Sequence, residues 1–146
     1  MHEANIDHRN SIIKKRMSKI KNKIIVMSNK GGVGKSTIST LLAVAISKKG
    51  FKTGLLDSDI HGPSIAKMTG IEAREYAYGE NETAEPIIKE NIKIVSMGNL
   101  IKETNRALIW RGPIKINVIR QLLSDFEWGE LDYLIIDLPP GTGDEP

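Results

Sequence analysis

Residues 24–37 read IIVMSNKGGVGKST, and this stretch decides the fold. Its first four residues are a continuous apolar run, which predicts a strand buried on both faces of a sheet. The residues from Ser36 to Lys49 are strong helix formers, and Gly50 follows them as a stop signal. The glycines in between let backbone N–H groups approach phosphate oxygens, and the helix N-terminus adds partial positive charge. The stretch therefore predicts a phosphate-binding loop between a strand and a helix.

The rest of the chain alternates between strands and helices. Further strands are predicted at residues 54–57, 92–96 and 133–137, and helices at residues 10–21, 64–70 and from Pro113 onward. The polar residues 72–91 predict a loop or hairpin. This order is typical of an α/β fold in which helices cover both faces of a sheet of about four parallel strands. We divide the sequence into a basic N-terminal arm, residues 1–23, and a domain that contains the phosphate-binding loop, residues 24–146.

The composition excludes several classes of protein. The 146 residues are 40% hydrophobic and 27% charged, which is typical of one soluble globular domain. No run approaches the roughly 20 apolar residues that span a bilayer, and no apolar signal core opens the chain, so we expect a cytoplasmic protein. The absence of cysteine excludes disulfides, thiolate-held metals and a cysteine nucleophile within this chain. The basic arm is interpreted as solvated, so neither a nucleic acid nor a membrane is expected as a partner.

The glycine-rich loop assigns roles to individual residues. The pattern G-x-x-x-x-G-K-[ST] fits except that Asn29 occupies the first glycine position, where its tolerance of positive φ lets the turn survive. Lys35 is expected to neutralise the β- and γ-phosphates, and the Ser36 hydroxyl to ligate Mg²⁺. The predicted nucleotide contacts in this loop are Asn29, Lys30, Gly31, Gly32, Val33, Gly34, Lys35, Ser36 and Thr37.

Carboxylates follow two of the predicted strands. Asp57 and Asp59 come at the end of the second strand, and Asp137 closes the fourth. Ligands of open parallel sheets bind at the carboxyl ends of the strands, so we expect these side chains to converge on the phosphate-binding loop.

Residues 30–37, KGGVGKST, resemble the deviant Walker A motif of the ParA/MinD/Mrp/nitrogenase-iron-protein class of P-loop ATPases. The mark of that class is an extra lysine, here Lys30, which reaches across a homodimer to the nucleotide of the partner subunit. The resemblance implies an ATPase that dimerises around ATP, with Lys30 supplying charge to the transferred phosphoryl group as an arginine finger does.

Four further blocks narrow the resemblance to the Mrp/ApbC/NBP-type iron–sulfur cluster carriers. They are LLDSDIHGPS at residues 55–64, IWRGP at 109–113, WGELDY at 128–133 and IDLPPGTGD at 136–144. By this resemblance Asp57 supports the Mg²⁺ shell, Asp59 orients the attacking water, Asp137 is the Walker B residue that holds a Mg²⁺-bound water, and Gly141 of switch II senses the γ-phosphate.

The resemblance covers only the N-terminal half of such a carrier. Family members continue about as far again and hold a [4Fe–4S] cluster with a Cys-x-x-Cys pair, which they deliver to apo iron–sulfur client proteins. This chain has no cysteine and therefore no cluster ligand. We expect a sheet truncated after the Walker B strand and switch II, with one edge of residues 133–137 unpaired and Leu134 and Ile136 uncovered.

Two other functions stay open on the sequence. One is a partition or positioning ATPase of the ParA/MinD type, and the other is a truncated nucleotide-binding fragment without catalytic activity.

Overall fold

The computed structural model describes residues 2–28, 34–59, 64–80, 83–103 and 114–139. The elements along the chain are α1 (His2–Met17), β1 (Ile20–Val26), α2 (Lys35–Lys48), β2 (Thr53–Asp57), α3 (Ser64–Thr69), β3 (Ala77–Tyr78), β4 (Ala84–Glu85), β5 (Ile87–Lys89), β6 (Ile92–Ser96), α4 (Met97–Glu103), α5 (Ile114–Asp125) and β7 (Leu131–Asp137). None of the helices in these ranges is long and apolar enough to cross a bilayer.

The central sheet has five strands in the order β1-β7-β2-β6-β5. The first four are parallel, and β5 pairs antiparallel with β6. The prediction of an α/β fold with four parallel strands is therefore confirmed. The fifth strand, β5, comes from the stretch predicted as a loop or hairpin. A tight turn joins β5 to β6, and its two residues, Glu90 and Asn91, both adopt positive φ, 51° and 66°.

Helices lie on both faces of the sheet. The crossovers from β1 to β2 and from β2 to β6 run in one direction, and the return from β6 to β7 runs in the other. Since parallel crossovers are right-handed, α2 and α3 share one face and α5 lies on the opposite one. Contacts of α2 with α3, and of α1 with α5, agree with this arrangement.

The centre of the core is β2, whose five residues are all buried. Gly54 has no room for a side chain, because a Cβ there would lie 2.7 Å from Leu131 Cδ1 and 3.1 Å from the Trp128 ring. Trp128 is fully buried and donates its indole N–H to the Leu122 carbonyl at 3.3 Å. Glycine at this position lets the indole pack directly on the sheet.

The predicted free edge of the fourth strand was wrong. That strand, β7, lies between β1 and β2, and Leu134 and Ile136 are 0% and 6% exposed. The chain returns to insert its last described strand between the first two, as doubly wound sheets do, so both neighbours of β7 are present.

The prediction that the first strand is buried on both faces was also wrong. Strand β1 lies at the end of the sheet, and its Ile25 is 57% exposed. It begins at Ile20 rather than Ile24, because Ile20 already pairs with Leu131. The last four residues of the segment interpreted as an arm, 20–23, therefore belong to the sheet.

The helix predicted at residues 10–21 is longer at its start and ends earlier, at Met17. Arg16 connects this helix to the residues after α5, because its Nη1 donates to the Phe126 carbonyl at 3.0 Å and to Glu127 Oε2 at 2.7 Å. Helix α1 is therefore packed on the body of the protein through α5 and the residues that follow it.

Candidate functional site

A residue in the left-handed backbone conformation directly precedes helix α2. Gly34 precedes it with φ 88° and ψ 13°, a conformation that a side chain would strain, and it offers no side chain to cap the helix. The first turn of α2 contains no acidic residue. The amide N–H groups and partial positive charge of this helix end thus lie beside Lys35 and Ser36, as an anion-binding loop requires.

The carboxylate of Asp137 is the centre of the site. It is fully buried at the carboxyl end of β7, and three side chains of α2 donate to it. Lys35 Nζ lies 2.6 Å from Oδ1, Ser39 Oγ lies 2.9 Å from Oδ1, and Ser36 Oγ lies 3.1 Å from Oδ2. Lys35 is only 7% exposed, so the two charges form a buried ion pair whose loss of hydration is offset by these hydrogen bonds.

A second buried carboxylate, Asp57, ends the neighbouring strand β2. Its Oδ1 accepts from the Asp59 amide at 3.1 Å, and its Oδ2 accepts from Ser96 Oγ at 3.2 Å. Burial, aided by the negative charge of Asp137 and opposed by the hydrogen bond from the Asp59 amide, raises the pKa of Asp57 to about 7. Among the described residues no lysine or arginine forms an ion pair with Asp57.

The polar residues that orient Asp57 were missed by the sequence analysis. Ser96 is fully buried, and its backbone N–H donates to the Tyr76 hydroxyl at 2.6 Å while that hydroxyl donates to the Ser96 carbonyl at 3.0 Å. Ser96 closes β6 as Asp57 and Asp137 close β2 and β7, so its place at a strand end was the available signal. Nothing in the spacing of the sequence indicates Tyr76.

Ser58 connects the two acidic strand ends. Its backbone N–H and its Oγ both donate to the carbonyl of Asp137, at 3.1 Å and 2.9 Å. Asp59 follows directly and is 8% exposed. The structure therefore brings Lys35 together with Asp137 and places Asp57 and Asp59 at the end of the neighbouring strand, whereas the predicted convergence of all three carboxylates on the phosphate-binding loop stays a prediction.

Not all predicted site residues can be placed. Asn29, Lys30, Gly31, Gly32, Val33 and Gly141 lie outside the described residues. Thr37 is exposed, and its Oγ1 lies 3.8 Å from the sulfur of Met68 in α3. The roles assigned to these residues stay predictions.

The oxygen atoms that could bind a metal at this site fit Mg²⁺ rather than an iron–sulfur cluster. The Ser36 hydroxyl and the carboxylates of Asp57 and Asp137 are the hard oxygen ligands that Mg²⁺ prefers, and buried Asp57 has a negative form that a cation would stabilise. The described ranges contain no group of three or more His, Cys, Asp or Glu arranged to hold a metal. A thiolate-held cluster does not fit, because the chain has no cysteine.

The chain is similar to known proteins along most of its length. A family profile described as "ParA: NUBPL iron-transfer P-loop NTPase" matches residues 19–146. The "Iron-sulfur cluster carrier protein" of Methanocaldococcus jannaschii is 52% identical over 133 residues, which are 91% of this chain and 46% of the relative. The "Cytosolic Fe-S cluster assembly factor Nubp2 homolog" of Drosophila sechellia is 49% identical over 132 residues, covering 88% of this chain and 50% of the relative.

A solved structure shares the fold of this chain. The nucleotide-binding protein of Archaeoglobus fulgidus, in complex with ADP and with Co, superposes with a TM-score of 0.77 at 45% identity. The superposition covers 93% of this chain and 51% of the other. The chain thus spans about half the length of the relatives that it matches.

Proposed function

Because this chain belongs to the ParA/NUBPL family of iron-transfer P-loop NTPases, we propose that it is the nucleotide-binding half of an iron–sulfur cluster carrier. Its substrate would be ATP, bound with Mg²⁺ at the first turn of α2. The observation that carries the proposal is the contact of Lys35 and Ser36 with Asp137 beside an uncapped helix N-terminus.

Lys35 and Asp137 would exchange partners when the nucleotide binds. The ammonium of Lys35 now neutralises Asp137, and it would donate to phosphate oxygens instead. Ser36 and Asp137 would then hold Mg²⁺, the latter through a bound water, with Asp57 supporting the metal shell. Bound Mg²⁺ supplies charge neutralisation at the phosphates.

The proposed reaction is hydrolysis of ATP to ADP and phosphate. Asp59 would orient the water that attacks the γ-phosphorus, and Gly141 would sense the γ-phosphate. Lys30 would act across a homodimer, at the phosphoryl group bound to the partner subunit. Ordered placement of the water and electrostatic stabilisation by the lysines are the two contributions that phosphoryl transfer needs from a protein.

Carriage of a [4Fe–4S] cluster would belong to the half of the carrier that lies beyond this match. The cluster would be cargo for apo iron–sulfur client proteins, and neither a nucleic acid nor a membrane is proposed as a partner. A cytosolic location is proposed because the Drosophila relative is named a cytosolic factor. The names of the curated relatives favour this function over a partition ATPase.

Isothermal titration calorimetry with Mg²⁺·ATP tests the nucleotide site. The Lys35→Ala variant should lose about 2 kcal/mol of binding free energy, roughly thirtyfold in affinity, because a charge-assisted phosphate contact is removed. Lys48→Ala is the matched control, since Lys48 is an exposed lysine at the other end of the same helix. Equal affinity of the Lys35→Ala variant and the unmodified chain would contradict the proposed site.

A further inference from the structure

Ser39 is a buried residue of α2 to which the pattern of the phosphate-binding loop assigns no role. It lies one helical turn beyond Lys35 and is 0% exposed. Residues four apart in a helix lie on the same face, so the side chains of Lys35 and Ser39 reach the same end of β7. There Ser39 Oγ donates to Asp137 Oδ1 at 2.9 Å. Ser39 therefore contacts a residue of the proposed metal site from outside the loop.

The contacts with the Asp137 carboxylate are divided between its two oxygen atoms. Oδ1 accepts from Lys35 Nζ and Ser39 Oγ, whereas Oδ2 accepts from Ser36 Oγ. The terminal torsion of an aspartate side chain has only broad, roughly two-fold preferences, so the contacts of the carboxylate decide its orientation. The two serines, one on each oxygen, therefore fix the plane of this carboxylate.

The hydroxyl of Ser39 is not used by its own helix. A serine or threonine within a helix can donate to the carbonyl one turn earlier, and Thr40 does so, with Oγ1 at 2.8 Å from the Ser36 carbonyl. Ser39 Oγ donates to Asp137 instead. Alanine would supply a small residue with a higher helix propensity, so neither size nor propensity accounts for a serine here. The carboxylate that it contacts accounts for the hydroxyl.

Nucleotide binding would change which donors remain on Asp137. In the proposed function Lys35 moves to the phosphates, so Oδ1 loses its nearest donor. Asp137 is 0% exposed, and a buried carboxylate oxygen without a donor raises the free energy of the protein. Among the described residues, Ser39 is then the donor that remains on Oδ1. Its hydrogen bond therefore matters most in the nucleotide-bound state.

We propose that Ser39 is a positioning residue of the Mg²⁺ site. It holds Oδ1 of Asp137, so that Oδ2 stays turned toward Ser36 after Lys35 has moved to the phosphates. Ser39 acts through Asp137 and contacts neither the metal nor the nucleotide. This inference rests on the proposed function, because it concerns the metal that accompanies the nucleotide.

Three variants test the role of the hydroxyl. Ser39→Ala removes it, and Ser39→Thr keeps it. Ser124→Ala is the matched control, since Ser124 is a buried serine of α5 whose hydroxyl contacts only Gln121 and Asp125 of its own helix. Circular dichroism and urea unfolding show whether each variant is folded.

Titration calorimetry with ADP, once with excess Mg²⁺ and once with a metal chelator, separates positioning from a general structural role. We expect Ser39→Ala to weaken binding of Mg²⁺·ADP at least about tenfold and binding of metal-free ADP by no more than about threefold. The second loss is smaller because the orientation of Asp137 matters where a cation has to be bound. Ser39→Thr should stay within about threefold of the unmodified chain, and Ser124→Ala should change neither affinity.

Two results for Ser39→Ala would overturn the proposal. One is an unchanged affinity for Mg²⁺·ADP. The other is an equal loss with and without the metal, which would show that the hydroxyl stabilises the helix or the buried charge alone. A folded Ser39→Thr variant that binds Mg²⁺·ADP as weakly as Ser39→Ala would overturn it as well. If the added methyl group prevents Ser39→Thr from folding, the comparison of Ser39→Ala with and without Mg²⁺ decides.

The unmodified chain in the same titrations separates this inference from the proposed function. A chain that binds ADP under neither condition contradicts the nucleotide site, and the inference fails with it. A chain that binds Mg²⁺·ADP as tightly with Ser39→Ala as without it contradicts the role of Ser39 and leaves the nucleotide site supported.

Discussion

Replacing Asp57 with asparagine should stabilise the nucleotide-free protein at neutral and higher pH. The pKa of this buried carboxyl is raised from 3.8 to about 7, so between these values the folded chain holds a proton that the unfolded chain has released. The free energy of unfolding therefore falls as the pH rises from about 4 to about 7, and it is level above that. A pKa difference of this size corresponds to a loss of about 4 kcal/mol in the free energy of unfolding over this pH range, and this figure is an upper bound.

Asparagine keeps much of the local structure. Its Oδ1 can still accept from the Asp59 amide, and its NH₂ group can donate to Ser96 Oγ, which now donates to the carboxylate. Allowing for imperfect geometry, we expect Asp57→Asn to raise the free energy of unfolding by about 3 kcal/mol at pH 8 and to change it little at pH 4.

Urea unfolding followed by circular dichroism between pH 4 and pH 8, with a metal chelator, measures this difference. Asp132→Asn is a control for which the opposite change in stability is expected, because the Lys52 amide and the Lys21 ammonium lower the pKa of Asp132. The Asp132 carboxylate contributes stability above its unfolded pKa of 3.8 and loses it as the pH falls through its lower folded pKa. Asp132→Asn should therefore destabilise the chain evenly from pH 5 to pH 8. A destabilised Asp57→Asn variant at pH 8, or a difference that does not depend on pH, would refute the reasoning.

Three other outcomes are expected. Gly54→Ala should lower the free energy of unfolding in urea by about 2 kcal/mol, because the new Cβ would lie 2.7 Å from Leu131 Cδ1, whereas Gly79→Ala, with its nearest atom at 3.7 Å, should change it little. Lys30→Ala should keep its ATP affinity in calorimetry but hydrolyse ATP more slowly, measured as the phosphate produced. If the unmodified chain is active and the variant hydrolyses ATP at the same rate, a role of Lys30 across the dimer is contradicted. Reconstitution with iron and sulfide should leave no stable absorbance band of a thiolate-held cluster on this cysteine-free chain, and a stable, stoichiometric cluster would require other ligands.

The sequence was sufficient to predict the strands of the parallel sheet and the meeting of Lys35 with Asp137. A continuous apolar run is a local property, and parallel strands bring their carboxyl ends to one edge whatever their order. These two facts predict that Asp137 lies near the phosphate-binding loop, and the structure adds that Asp137 and Lys35, 102 positions apart in sequence, are within hydrogen-bond distance.

The order of the strands in the sheet could not be predicted from the sequence. The run IIVM looks the same in a central strand as in an edge strand, and only the insertion of β7 beside β1 decides which it is. Tyr76 was missed for a similar reason, since its hydroxyl meets Ser96 through a tertiary contact that leaves no periodic signal.

The double hydrogen bond from Ser58 to the Asp137 carbonyl has a consequence for spectroscopy. Because the chemical shift of an amide follows the length of its hydrogen bond, the Ser58 N–H registers a displacement of either strand end. One isotopically labelled serine would then follow both halves of the site during a titration. Ser58→Ala removes the hydroxyl bond and keeps the amide bond, so the amide signal of that variant would show how far the hydroxyl holds the two strand ends together.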